Sequence, residues 1–181
     1  MTTRDALVAE LDLESPFTRR TLERVPLEKR AWKPHDRSMP LGDLATFLCV
    51  MWSWGVVVID RDSFDPSARP DAGKRPEVPT TTEALLTLYD ENVAAFRSAL
   101  MRTTDDHLQL KWRLLVRGEE FFNQPRGIVL STFILNHAVH LRAQLGVYLR
   151  LYGVAVPAIY NDSADEQGGL FRPDGSRRPM A

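Results

Sequence analysis

The stretch from Arg126 to Tyr152 constrains the fold most. Leu130, Phe133, Ile134, His137, Leu141, Leu145, Tyr148, Leu149 and Tyr152 recur at a spacing that only a helix gathers onto one face. Pro125 stands before it, where a helix tolerates a missing N–H. Gly153 follows the last periodic residue, where a left-handed cap belongs, and Pro157 forbids continuation. At 1.5 Å per residue such a helix is a rod of roughly 40 Å, long enough to be the spine of a small helical domain.

Three further amphipathic segments accompany the spine, separated by proline-rich connections. The pattern predicts an all-α fold, an antiparallel four-helix bundle with helices near 3–25, 41–59, 80–103 and 126–152. In the first segment Leu7, Leu11, Phe17, Leu22 and Val25 share a face. Pro16 should kink or restart that helix, with Ser15 available as a cap for a second piece. In 26–40, three prolines prevent a continuous helix; Trp32 should fold back onto the bundle, and His35 should be exposed or cap something. The 41–59 segment is apolar almost all round, so burial on more than one side is expected, with β-branched Val56, Val57 and Val58 weakening its last turn. Residues 61–79, with four prolines, read as a long loop without regular structure. Thr80, Thr81 or Thr82 should cap the third helix, Thr80 with Glu83 having capping-box spacing, and its inward face should carry Leu85, Leu88, Tyr89, Asn92, Ala95, Phe96 and Ala99. Residues 104–124 break the helical period and read as an irregular hairpin or extended strap, with Trp112, Leu114 and Phe121 covering one end of the bundle and His107 exposed. The domain is expected to span 1–166, with 167–181 a tail that is flexible or held only by Leu170 and Phe171.

Composition narrows the function classes. The 181 residues are enough for one core, and Lys+Arg 23 against Asp+Glu 24 leaves a formal charge of −1, no basic excess to hold a nucleic-acid backbone. A single cysteine, Cys49 in an apolar run, excludes an internal disulfide and a multi-cysteine zinc site and reads as a small core residue. The start, MTTRDALVAELDLES, lacks the apolar region of an export signal, and Phe47 to Ile59 is too short and too interrupted to span a bilayer. A cytoplasmic protein without membrane or nucleic-acid partners is the expectation.

The spine also carries the chemistry. Asn136, His137, His140, Arg142 and Gln144 fall within a few turns, and His137 and His140 are helix-surface neighbours. Two histidines at this spacing could be half of a metal site, or one a hydrogen-bonded core residue and the other a rim residue. Asp90 and Glu91 could serve as carboxylate ligands or bases, or simply face solvent.

The segment NHAVHLRAQLGVYLRLYGVAVPAIYNDSADE, with WKPHDRSM and LGDLA upstream, resembles the DinB family of four-helix-bundle proteins, often described as metal-dependent enzymes. The family's metal site uses one histidine of the second helix and two, four residues apart, in the fourth. Carried onto this chain, those positions are Phe47, His137 and Leu141, so one of three histidines remains; His140 occupies a family histidine position that is not usually a ligand. One imidazole is too few for a site that normally needs three protein ligands. The resemblance therefore implies a degenerate site with no metal, and zinc or nickel only if a replacement ligand set exists.

The leading expectation is a DinB-like protein that is not a metal-dependent enzyme and binds a small molecule or partner through the bundle, with Phe47, Met51, Trp54, Asp90, His137, His140, Leu141 and Gln144 as candidate pocket residues. The alternatives are a metal-dependent S-transferase using a low-molecular-weight thiol at a non-standard site, and a structural homodimer module. Trp52, Trp54, Val56 and Val58 give the second helix more apolar surface than one bundle face needs, which points to a homodimer.

Overall fold

The computed structural model describes residues 1–169. Four long helical segments pack around one core. They are α1 (Thr3–Leu22), the consecutive pair α2 (Leu41–Val50) and α3 (Trp52–Asp60), α4 (Thr82–Arg102), and a run from α6 (Arg126–Val129) through a π-helical stretch (Leu130–Leu135) to α7 (Asn136–Leu151). A short α5 (Asp105–Gln109) precedes a hairpin of β2 (Lys111–Val116) and β3 (Glu119–Pro125). The Leu170 and Phe171 expectation lies outside the described residues.

The fold is therefore mostly helical rather than all-α, because a three-stranded sheet, in the order β1 (Ser63–Phe64), β2, β3, stands beside the helices. The irregular strap is a regular antiparallel pair with one register shift between Leu114 and Leu115. Its two-residue turn places both Arg117 (φ 55) and Gly118 (φ 81) in the left-handed region, as tight hairpins require. The third strand, β1 (Ser63–Phe64), comes from the stretch expected to have no regular structure and pairs parallel to β2. Asp65 and Ser67 then accept the Gly118 and Arg117 N–H groups, tying that loop to the hairpin turn. Strand alternation turns Phe122 rather than Phe121 inward: Phe122 stacks on Phe133 at 4.8 Å, while Phe121 stays exposed.

Several local expectations are corrected by packing. Pro16 does not restart α1, and Ser15 does not cap a second piece; the proline sits inside a continuous helix capped by Thr2. The carbonyls just before it are held from outside, Glu14 O by Arg142 of α7 and Ser15 O by the Tyr89 hydroxyl of α4. Those tertiary bonds, with Leu11, Thr18 and Leu22 buried, outweigh the proline penalty. The second segment breaks at Met51 into α2 and α3, and its valine turn is helical to Asp60. Of the three threonines at its start, Thr81 caps α4, its hydroxyl accepting from Ala84 N, so Thr80 with Glu83 forms no capping box. Ala95 faces solvent, whereas Leu100 joins the core. His107 is half-buried, its ring nitrogen 2.9 Å from Ile59 O.

Other readings hold. Trp32 folds back edge-on against Tyr148 and Tyr152, at 5.9 and 5.2 Å between ring centroids. Exposed His35 accepts from Arg37 N. Cys49 is fully buried, and burial pushes its thiol far above the ordinary range, which suits a core residue and not a nucleophile. Leu41–Asp60 taken together has the length and mean hydropathy (1.7) to cross a membrane, so the apolar run is longer than it reads; yet 61% of it is buried inside the protein, as in a core helix. Trp52 and Val58 are core residues here, which removes them from any surface a second copy could use.

Two buried arginines join distant parts. Arg126, at the start of α6, donates to Val58 O, Arg61 O and Lys111 O and pairs with Asp62 at 2.7 Å, clamping the end of α3 to the hairpin. Arg142 does the same for the C-terminal segment.

Candidate functional site

α2 and α3 present Phe47 and Trp54 on the same side, and α7 brings His137 against them. The Phe47 ring lies edge-on to Trp54 at 5.8 Å and to His137 at 5.7 Å. Phe47 and His137 are both half-buried. Burial holds the His137 imidazole below its usual pKa, the neighbouring His140 adds to this, and the Phe133 backbone opposes it. His140 is exposed; its Nε2 lies 3.0 Å from the Gln144 amide, and its ring is 6.3 Å from that of His137. The histidines are thus a half-buried residue beside an aromatic ring and a solvated rim residue.

The remaining candidates divide. Leu141, four residues after His137 in α7, is buried, and Met51 is core. Gln144 is exposed, and its amide lies 3.0 Å from His140 Nε2. Asp90 is exposed and accepts from Arg19 of α1 at 3.0 Å, so it is not the partner of His137. Among the described residues no group of three or more His, Cys, Asp and Glu converges closely enough to share a metal ion.

Phe47 and Trp54 also floor a cavity of about 660 Å³ that His137 does not line. Val50 continues the floor, and the 66–76 segment forms the opposite wall. That wall is basic: Arg69 is bound in a two-pronged pair to Asp71, Arg75 pairs with Asp43 of α2, and Lys74 also lines it. The loop thus supplies half of a site that helix periodicity assigns to helices alone.

A second cluster escaped sequence reasoning except for Arg142. The guanidinium of Arg142 is 2% exposed and pairs with Glu14 at 2.6 Å. It also donates to Thr18 Oγ1 and to the Tyr160 hydroxyl, which in turn donates to Glu14. The neighbouring SADE motif has the same character: Ser163 donates to Val156 O, Asp165 accepts from Arg150 and Val156 N, and Glu166 accepts from Ala158 N and pairs with Arg20 and Arg24. These polar residues fasten the segment after α7 onto α1. The signal for them was an arginine on an otherwise apolar helical face.

A family model described as "DinB family" matches residues 67–170. The chain belongs to the DinB family. A curated relative, the uncharacterized protein YrdA of Bacillus subtilis (strain 168), is 33% identical over 89 residues, 49% of this chain and 50% of that one. The chain thus spans about half the length of this curated relative. A DinB-like protein from Bacillus cereus ATCC 10987 has the same fold, with TM-score 0.65 at 22% identity over 86% of this chain and 97% of that one. A DinB-like protein of B. subtilis, YjoA, follows at TM-score 0.61 and 20% identity, covering 82% and 92%. At these identities the structures speak to the DinB fold alone.

Proposed function

We propose that this DinB-family chain has lost the family's metal site and retains a binding role, taking a small molecule or partner through the cavity beside Phe47 and Trp54. One observation carries the reading: the phenyl ring of Phe47 lies edge-on to His137 at 5.7 Å, with Leu141 buried nearby. Hydrocarbon therefore meets the imidazole where further donors would be needed. A phenyl, an isobutyl and one imidazole do not fit a divalent ion, which needs about three protein ligands. Replacement ligands from Asp90 are disfavoured by its pairing with Arg19. Packing and site chemistry are separable, so a bundle persists when its ligands are replaced.

In this reading the helices form an antiparallel four-helix bundle, residues 1–166 are one domain with 167–181 appended, and the protein works in the cytoplasm without membrane or nucleic acid. It is a homodimer, a state supported by the exposed Phe121, Ile128 and Phe133. Metal analysis of untagged protein tests the central claim: stoichiometric zinc or nickel would bring the thiol S-transferase reading forward. A rise in melting temperature with small molecules would favour binding over a structural module. Sedimentation at the monomer mass of 20.6 kDa at high micromolar concentration would remove the homodimer.

A further inference from the structure

We infer that the cavity between α2–α3 and the 66–76 segment takes a small monoanion with an aromatic or aliphatic body, its ring against Phe47 and Trp54 and its carboxylate at Lys74. The inference rests on the binding role proposed above and names the ligand class.

The floor comes first. Trp54 is 41% exposed while Trp52, two residues earlier, is fully buried. The wet indole and the Phe47 ring form an edge-on pair at 5.8 Å, and aromatic side chains, with only two rotatable bonds each, offer an apolar ligand contact at low entropic cost. A volume of about 660 Å³ matches sites that enclose a small molecule.

The wall supplies the charge. Arg69 is neutralised by Asp71 and Arg75 by Asp43. The Lys74 ammonium makes no hydrogen bond or ion pair with the described residues, although it contributes weakly to holding the Asp71 carboxyl below its usual range, behind Arg69. Turn bonds from Ala72 N to Arg69 O and from Lys74 N to Asp71 O, with Gly73 at φ +79, bring Lys74 to the cavity rim. One uncompensated cation beside an aromatic floor complements one negative charge on an apolar body. A compact dianion would leave the indole wet and meet only one cation.

The test titrates the full chain calorimetrically with 2-naphthoate and with neutral 2-naphthamide. The carboxylate is expected to bind about fivefold more tightly, the scale of one exposed charge contact, and to weaken as salt is added. Lys74→Met should abolish the difference without changing naphthamide binding. Trp54→Ala should weaken both about tenfold, the loss of one aromatic contact. Equal binding of the two probes, unaffected by Lys74→Met, overturns the monoanion assignment and leaves the cavity-binding role standing. Naphthoate binding unchanged by Trp54→Ala overturns the placement. No binding of either probe at millimolar concentration overturns the inference, while the proposed binding role falls only if the melting-temperature screen with small molecules also shows no rise.

Discussion

Replacing Arg142 by Met should be among the most destabilising single changes in the chain. The guanidinium is 2% exposed and the Glu14 side chain 9%, with 2.6 Å between nitrogen and oxygen. Methionine fills much of the volume, so lost packing is small. What remains is the Glu14 carboxylate, out of water, with the Tyr160 hydroxyl as its remaining side-chain donor. Removing one partner of a buried pair costs about 3–5 kcal/mol, because the other charge is left uncompensated. Tyr160→Phe, which leaves the ion pair intact, should cost about 1–3 kcal/mol. The double variant Glu14→Met with Arg142→Met removes both charges and should be more stable than Arg142→Met alone, since apolar replacements for a buried pair are often neutral. Urea unfolding followed by circular dichroism measures this; at a slope of about 2 kcal/mol/M, a 4 kcal/mol loss lowers the midpoint by about 2 M. A loss below about 1 kcal/mol for Arg142→Met, typical of a solvated pair, would refute the reasoning. A double variant no better than Arg142→Met would refute it independently.

Other consequences can be measured directly. Gly55→Ala places a Cβ 2.5 Å from the fully buried Phe96 ring, so overpacking between α3 and α4 should cost about 1–3 kcal/mol, exceeding the gain in helix propensity. Unchanged stability in urea would mean that the two helices separate freely there. The His137 pKa is lowered from 6.5 in the folded protein, so the unfolded chain binds more protons as pH falls; this contribution to stability is present above about pH 6.5 and lost on acidification below it. His137→Phe should flatten that slope, and an identical pH profile would sink the assignment. The double variant Phe47→His with Leu141→His should add two imidazoles beside His137 and create zinc or nickel affinity; calorimetry without a binding isotherm would mean that the three positions do not converge.

The candidate site was legible in part because some of its residues lie on periodic helices. Phe47 and His137 were paired through the family pattern, and their rings do meet. Met51 and Asp90 misled for different reasons. Met51 lies at the break between α2 and α3, in a segment apolar all round, where composition does not say which side is core. Asp90 is exposed on α4, and Arg19, 71 residues away, decides its partner. The cavity wall at 66–76 was hidden because a proline-rich loop has no period from which to infer a facing surface.

The sequence by itself determined the four helical segments, through 3.6-residue periodicity and the caps and prolines that bound them. It also determined the return of Trp32, the burial of Cys49 and the membership signalled by the DinB motifs. All of these depend on local spacing or on strings of identical residues. Tertiary structure alone decided that Pro16 stays within a helix, that two residues near 63 become a parallel strand, and that Arg142, Glu14 and Tyr160 form one network. The Tyr160–Glu14 bond joins residues 146 positions apart, and Ser63 pairs with Arg113 only because the helices between them return the chain to the sheet. Such contacts arise from the free energy of packing distant segments and burying their polar groups together, which no local pattern encodes.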